Sequence, residues 1–531
     1  MNRPKNQNDL PVGCIHHPGF SRRKFLSGCA ACAGAAGLAG VPNLTGAPRL
    51  PRAMSGAGKT RVRVIYALHG PRQEGADWPN KGFDFVPVMN RINAELLKRV
   101  PSLEIIPSLA TGEEQTKICL EEDRKMPVDG YLVYQMNCWN QVAQSVVTTG
   151  KPVLYADFQF GGSGGFLVYT AGFLRSGLKN FGFVASSKIE DLAEAVKLFA
   201  AAKAAGPSFD FAAAAARVRI ARTPKAGDLA VTPDPLVCLP VDETVRRLKA
   251  SRILAVRGAE AQPSTTVLGI PVDYIPFAEL NAAWAAANKE EARAIAERWA
   301  KSAAHVEGVS RDELVNSAAM YLGQKAVLKA RGATGITVNC LGGFYGGHIH
   351  AYPCLGFHEL LNEGLVGGCE CDVPSSAALT AITTMTQGRP GYISDPVIDT
   401  SNRTIIYAHC VASNKPFGPK GPANPFEILT HSEDRQGASV RSILPAGYMT
   451  TTIDVSQDRK EIILHRAKSV ANDPDDRACR TKLVAKPVGD IEKLFTMWDR
   501  WGWHRVTAYG DIAEPVRALA GAIGWKVVEE T

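Results

Sequence analysis

Apolar residues recur along the first half of the chain in two alternating patterns. Short, mostly apolar runs predict strands, and longer stretches with apolar positions every three or four residues predict helices. Strands that alternate with helices of about 10–15 residues are typical of parallel sheets built from β-α-β units. The predicted strands are 60–68, 103–109, 130–135 and 151–157, and the predicted helices are 84–99, 113–123 and 189–204. We therefore predict a first α/β domain over residues 59–225.

A proline-rich segment at 224–240 predicts a linker, and a second alternating block follows it. The predicted strands of this block are 252–256, 272–275 and 335–340, and its predicted helices are 281–302 and 311–330. The pattern predicts a second parallel-sheet domain over residues 226–390.

Beyond Gly388 the pattern changes to strands with alternating polar and apolar residues, separated by Pro, Gly and Asn turns. Such runs are typical of antiparallel, barrel-like structures. The predicted strands are 404–412, 449–455, 461–467 and 478–485. The predicted fold class is α/β: two Rossmann-like parallel-sheet domains followed by a β-rich, barrel-like C-terminal domain at 391–531.

Composition excludes two classes of partner. The formal net charge is +8, but residues 1–58 hold seven basic residues and one acid, a balance of +6 that leaves only +2 for the body. A nucleic-acid-binding protein carries a basic patch on its folded part, so no nucleic-acid partner is expected. The sequence also has no run of about 20 apolar residues, the length needed for a membrane span.

The basic leader has the pattern of a targeting segment. Ser21-Arg22-Arg23-Lys24-Phe25-Leu26 precedes a weakly hydrophobic stretch rich in Ala and Gly, up to about Val41. This order is similar to a twin-arginine export signal. We therefore predict a signal and linker at residues 1–58, and a periplasmic or otherwise exported protein.

The most informative polar positions lie between residues 364 and 410. Glu370 and Asp395 each end a short apolar run, and His409 ends a third. Residues at strand ends face a shared crevice in α/β proteins, so we expect these side chains to converge. Carboxylates together with imidazole suit a hard divalent ion such as Mn²⁺ or Mg²⁺. Glu370 stands between Cys369 and Cys371 in a glycine-rich, apolar segment, where a buried carboxylate needs a cation or a donor.

The order of these features resembles the L-fucose and L-arabinose isomerase superfamily. The resemblance rests on Cys369-Glu370-Cys371-Asp372, a following Ser/Ala-rich helix, Asp395, Ala408-His409-Cys410, and an aromatic–His segment that ends in Gly510-Asp511. It implies two α/β domains before a β-rich domain, a Mn²⁺ (or Mg²⁺ or another divalent ion) at their junction, and a homo-oligomer. It makes Glu370 and Asp395 carboxylate ligands and His504 a histidine ligand, and places His409 near a further histidine of the arabinose-type enzymes.

The resemblance further implies aldose–ketose isomerisation of a small-molecule carbohydrate through an ene-diolate. A divalent ion would stabilise the developing oxyanion, and two carboxylates would exchange protons with adjacent carbons. Glu370 is the expected base, and Asp395 the expected ligand and partner.

Two other functions stay open from the sequence alone. A carbohydrate-binding protein could keep the isomerase scaffold without catalysis, and it would not need Glu370, Asp395 and His504 to meet. A cysteine hydrolase could use Cys371 or Cys410 with His409, although neighbouring residues on a strand face opposite sides.

Overall fold

The computed structural model describes residues 58–531. Its first unit is a five-stranded parallel sheet in the order β2-β1-β3-β4-β5. The strands are β1 (Thr60–Ala67), β2 (Leu103–Ala110), β3 (Gly130–Gln135), β4 (Val153–Asp157) and β5 (Phe181–Val184). The helices are α1 (Val86–Arg99), α2 (Glu113–Lys125), α3 (Val142–Val147), α4 (Ser163–Arg175), α5 (Ile189–Val196), α6 (Leu198–Ala205) and α7 (Phe211–Arg222). The interior strand β1 is buried on both faces, as a parallel sheet covered by helices requires.

The second unit is a five-stranded sheet in the order β11-β10-β6-β8-β7, parallel except for its edge strand β7. The strands are β6 (Ile253–Val256), β7 (Gln262–Val267), β8 (Ile270–Ile275), β10 (Gly335–Val338) and β11 (Val366–Gly368). The helices are α8 (Val241–Ala250), α9 (Phe277–Ala285), α10 (Lys289–Ser302), α11 (Arg311–Arg331), α12 (Cys340–Tyr345), α13 (Cys354–Asn362) and α14 (Val373–Met385). The sequence did not predict β7, and the helix predicted at 281–302 is two helices, α9 and α10.

The third unit is a closed antiparallel barrel. Six strands pair in the order β16-β19-β12-β13-β18-β17, and pairing of β16 with β17 closes the ring. These strands are β12 (Gly391–Asp399), β13 (Thr404–His409), β16 (Met449–Ser456), β17 (Glu461–Asn472), β18 (Thr481–Pro487) and β19 (Arg505–Tyr509). The remaining elements near the barrel are α15 (Trp498–Trp501), α16 (Ala513–Ala522) and β20 (Lys526–Glu529), which pairs in parallel with β17. A small sheet joins β9 (His305–Glu307), β14 (Phe426–Leu429) and β15 (Ser439–Ser442).

Helix α14 packs between the second sheet and the barrel. It contacts β10 and β11 on one side and β12, β16 and β19 on the other. Asp372 caps its first turn by accepting a hydrogen bond from the amide of Ser375, as an N-cap residue should. Because almost all of this small-residue helix is buried, its first turn is fixed at the junction of the two units.

The predicted fold class is confirmed: α/β, with two mainly parallel sheets and a barrel in the C-terminal part. The domain boundaries at 225 and 390 remain predictions, because the strand ranges fix only where each sheet begins and ends. The predicted leader lies, apart from Gly58, outside the described residues. Within residues 58–531, none of the helices combines the length and the apolar character that a bilayer crossing needs.

Candidate metal centre

Glu370 lies in the tight turn between β11 and α14. Its backbone and that of Cys371 are left-handed, with φ values of 61° and 53°, a conformation that non-glycine residues rarely adopt. The amide of Cys371 donates to the carbonyl of Val338 (2.9 Å), which fixes the turn to β10. Strained backbone of this kind is found where the surrounding structure must aim a particular side chain.

Asp395 lies inside β12 and not at a strand end, so the sequence-based expectation for its position was wrong. It pairs with Ala408 of β13, while its neighbour Ser394 pairs with Arg505 of β19. The antiparallel register therefore places Asp395 close to the strand positions that adjoin His409 and His504. The apolar run before Asp395 ends there in sequence, but the barrel ladder continues to Asp399.

His409 is the last residue of β13 and is 3% exposed. Among residues 58–531, neither of its ring nitrogens has a hydrogen-bond partner. Burying an imidazole without a partner is costly, so this ring is free to bind a ligand. Its centroid lies 6.2 Å from that of His504.

His504 precedes β19 and makes the closest contacts in the cluster. Its Nδ1 lies 2.6 Å from Oδ2 of Asp372, and its Nε2 lies 3.2 Å from Oδ1 of Asp395 and 3.6 Å from Oε2 of Glu370. Oδ1 of Asp395 is buried and lacks an aligned hydrogen bond within the described chain. Asp372 therefore orients the ring, and Nε2 faces the two predicted carboxylate ligands.

The structure brings all four predicted ligand residues together. One donor atom from each of Glu370, Asp395, His409 and His504 lies within 4.8 Å of the others. Opposite ligands of an ion with bonds of about 2.1 Å are separated by about 4.2 Å, so only a small contraction is needed. Two carboxylates and two imidazoles, with unsatisfied atoms on His409 and Asp395, fit a divalent cation.

The charge around His504 also favours a cation. Burial by itself lowers the pKa of His504, but Asp395, Asp372 and Glu370 together raise it well above its usual value. Burial would raise the pKa of Asp372, but the hydrogen bond and charge of His504 lower it. The three carboxyl groups thus favour a positive charge at this position. A divalent ion can supply that charge at Nε2 while Nδ1 stays bonded to Asp372, an arrangement common for metal-bound histidines.

The sequence did not predict roles for two further acids. Asp372 was noted as part of the Cys-Glu-Cys-Asp motif, whose helix-capping position is the signal that could have identified it. Glu433 lies in the loop between β14 and β15 and accepts a hydrogen bond from Tyr345 (3.1 Å). Burial and the charges of Asp77 and Glu370, opposed by His431, raise the pKa of Glu433 to about 8. The loop that carries Glu433 has a polar, turn-like sequence, and nothing in it indicates a buried carboxyl group.

The geometry does not support the cysteine-hydrolase alternative. Burial raises the pKa of Cys371 to about 12, so its thiol is a poor nucleophile. Since neither ring nitrogen of His409 has a hydrogen-bond partner within residues 58–531, no hydrogen bond joins the thiol of Cys410 to this ring.

The N-terminal unit contacts Trp503, which belongs to the C-terminal part of the chain and directly precedes His504. Its indole packs edge-on against Trp78, with centroids 4.9 Å apart, and its Nε1 donates to the carbonyl of Pro396 (2.9 Å). A Cβ on Gly164 would lie 2.5 Å from the Trp503 ring, so only glycine permits this approach. The first unit therefore holds the segment that carries His504.

Fold and site together define a class: an α/β protein with a closed antiparallel barrel and a candidate divalent-metal site made of carboxylates and histidines. Part of the chain is similar to the L-arabinose isomerase of Bacteroides thetaiotaomicron, with 33% identity over 114 residues, 19% of this chain and 22% of that protein. The chain therefore matches about a fifth of the length of that curated relative. No family model matches the chain.

Solved structures show only weak similarity to this chain. Matches include an ABC transporter solute-binding protein from Bacillus halodurans C-125 with bound myo-inositol, at 14% identity over 64% of this chain and 93% of that one, with a TM-score of 0.17. They also include the transcription regulator CcpA of Lactococcus lactis, at 12% identity over 53% of this chain and 78% of that one, with a TM-score of 0.15. TM-scores this low support no inference about fold or ligand.

Proposed function

We propose that this protein is an exported, metal-dependent sugar isomerase of the aldose–ketose type. The observation that carries the proposal is the convergence of donor atoms from Glu370, Asp395, His409 and His504 within 4.8 Å. The local similarity to an L-arabinose isomerase supports a carbohydrate substrate. The resemblance to that superfamily further suggests a homo-oligomer.

In the proposed enzyme, the same four residues would hold Mn²⁺ or a similar divalent ion. When bound, such an ion acts as a Lewis acid that stabilises negative charge on the sugar oxygens. Asp372 keeps His504 in the tautomer that presents Nε2.

Glu370 is the proposed base that removes a proton from the carbon beside the sugar carbonyl. Its side chain is 18% exposed, whereas that of Asp395 is 6% exposed, so Glu370 is the more accessible carboxylate. Asp395 is the proposed partner that holds or returns a proton at the neighbouring position.

The test begins with the full chain folded in the cell. Elemental analysis should find about one divalent ion per chain, and an aldose panel including L-arabinose and L-fucose should give the corresponding ketoses. Glu370→Gln should abolish turnover with little loss of fold, because the change is nearly isosteric. Glu307→Gln, at a side chain that is 73% exposed, is the matched control and should remain active.

Other results would reject the proposal. Full activity of Glu370→Gln would exclude the assigned base. A metal-free protein that binds sugar without converting it would favour the carbohydrate-binding alternative.

Export through the twin-arginine pathway is the proposal for location. Replacing Arg22 and Arg23 by lysine keeps the charge of the leader but removes the guanidinium pair. Cell fractionation should then find the protein retained in the cytoplasm. Unchanged export would contradict the twin-arginine assignment.

A further inference from the structure

A buried ion pair lies directly behind the backbone of His504. Arg505 is fully buried, and its Nη1 donates to the carbonyls of His504 (2.7 Å) and Gly502 (3.1 Å). Its Nη2 donates to Oε1 of Glu530 (2.7 Å), and its guanidinium lies 4.0 Å from the ring centroid of Trp498. The guanidinium thus bridges the peptide segment that carries His504 and a carboxylate from another part of the chain.

Glu530 belongs to a longer chain of buried polar groups. It follows β20 and bonds through Oε2 to Nδ1 of His465 (2.7 Å), whose Nε2 lies 2.6 Å from the hydroxyl of Tyr407. The side chains of Arg505, Glu530 and His465 are all 0% exposed. Tyr407 precedes His409 by two residues on β13 and so faces the same side of the strand. The chain therefore connects the strand that carries His409 with the backbone of His504.

The stability of the barrel does not by itself explain why these charged groups are buried. Two opposite charges buried together gain little over apolar side chains of similar size, because both lose their hydration. Such a pair does fix geometry, since Arg505 is bonded at both ends and cannot move without breaking a charge-assisted hydrogen bond. Burial would raise the pKa of Glu530, but Arg505 and His465 lower it to about 2, so the carboxylate stays charged.

We infer that Glu530, acting through Arg505, is a positioning residue that fixes His504 for metal binding. This inference rests on the proposed function, because it concerns the same metal centre. The side chain of Glu530 bonds to Arg505 and His465, and within residues 58–531 it makes no hydrogen bond to the four candidate ligands. Its effect is on where the backbone of His504 lies and hence where Nε2 points.

The test compares two neighbouring glutamates. Glu530→Gln removes the charge that holds Arg505, whereas Glu529→Gln alters an exposed glutamate that pairs with Arg517 at the surface. Mn²⁺ affinity is measured by titration calorimetry on the full chain, with circular dichroism and thermal midpoints taken without metal. Loss of groups that support metal ligands typically costs about 10–100-fold in metal affinity. We expect a loss of that size for Glu530→Gln and wild-type affinity for Glu529→Gln.

A second readout separates positioning from general stability. At saturating Mn²⁺, the electron paramagnetic resonance spectrum should change in Glu530→Gln and stay unchanged in Glu529→Gln. A lower thermal midpoint with unchanged affinity and an unchanged spectrum would show a purely structural role and overturn the inference. If Glu530→Gln does not fold, Arg505→Lys carries the test, because lysine keeps the charge but cannot bridge both partners. Wild-type affinity in Arg505→Lys would then overturn the inference.

His504→Ala distinguishes failure of this inference from failure of the proposed function. If wild type and His504→Ala bind Mn²⁺ equally, the metal centre itself is wrong and both proposals fail. If His504→Ala loses binding while Glu530→Gln binds like wild type, the positioning role alone is overturned.

Discussion

At the scale of single residues, the carboxylate of Asp372 makes two separate contacts. It caps α14 through the amide of Ser375, and it bonds to Nδ1 of His504 at 2.6 Å. Because the cap fixes the carboxylate, the imidazole is held at a defined angle. The helix start and the ligand orientation therefore depend on one side chain.

Asp372→Asn should separate these two tasks. Asparagine caps helices about as well as aspartate, so α14 should form, but the negative charge facing His504 is lost. We expect Mn²⁺ affinity to fall by about 10–100-fold, measured by titration calorimetry, with a near-wild-type circular dichroism spectrum. An unchanged affinity would show that Asp372 does not orient His504.

Asp157, at the end of β4, gives a prediction about pH. Burial raises its pKa, the hydrogen bond from Ser163 lowers it, and Asp399 raises it further, to about 8. The folded protein therefore keeps a proton that the unfolded chain loses above about pH 4. The stability that protonated Asp157 contributes to the folded state is fully present below about pH 4, and it is lost as the pH rises towards 8.

Asp157→Asn should remove this pH dependence, since asparagine is neutral and can still accept from Ser163. Its thermal midpoint should exceed that of wild type by more at pH 8 than at pH 5. If the thermal midpoints of variant and wild type differ by the same amount at pH 5 and at pH 8, the assignment is wrong.

At the scale of elements, α4 contacts the segment that carries His504 through Gly164. A Cβ at this position would meet the Trp503 ring at 2.5 Å, whereas a Cβ at Gly172 of the same helix would meet nothing within 4 Å. The two glycines thus differ in packing within one helix.

Gly164→Ala should destabilise the protein by about 1–3 kcal/mol, because added volume in a packed core displaces its neighbours. Gly172→Ala should be neutral or should stabilise it by up to about 1 kcal/mol, because alanine favours the helix. Denaturant unfolding followed by tryptophan fluorescence would measure both. Equal effects would show that Trp503 is not held by Gly164.

At the scale of the whole molecule, the candidate metal centre joins two units. Glu370 comes from the end of the second sheet, and Asp395, His409 and His504 come from the barrel or its flank. An ion bound to all four would connect these units and stabilise the folded state by an amount that grows with the logarithm of the ratio of its concentration to its dissociation constant.

Chelation should therefore lower the thermal midpoint. An ion present at about 100 times its dissociation constant adds about 2.7 kcal/mol to the stability of the folded state, and EDTA should remove that contribution. Differential scanning calorimetry should show the loss in wild type and a much smaller one in His504→Ala. An EDTA shift of equal size in both proteins would place the stabilising ion elsewhere.

The alternation of apolar runs predicted the sheets and the barrel because strand and helix periodicity is a local property of the chain. The same runs placed Asp395 at a strand end, which was wrong, because the ladder with β13 continues past Pro396 to Asp399. Periodicity also predicted one helix where α9 and α10 are separate.

The sequence by itself predicted most of the strands and helices in order, and its local pattern singled out Glu370, Asp395 and His409, since residue type and pattern depend only on neighbours along the chain. His504 was indicated by the family resemblance and not by its local pattern. The tertiary structure alone decided that those donors meet, that Asp372 orients His504, and that Glu530 lies behind Arg505. These contacts join residues 25 positions apart in one case and more than 130 in another. Their formation depends on barrel closure and strand register, which are set by packing between distant parts of the chain.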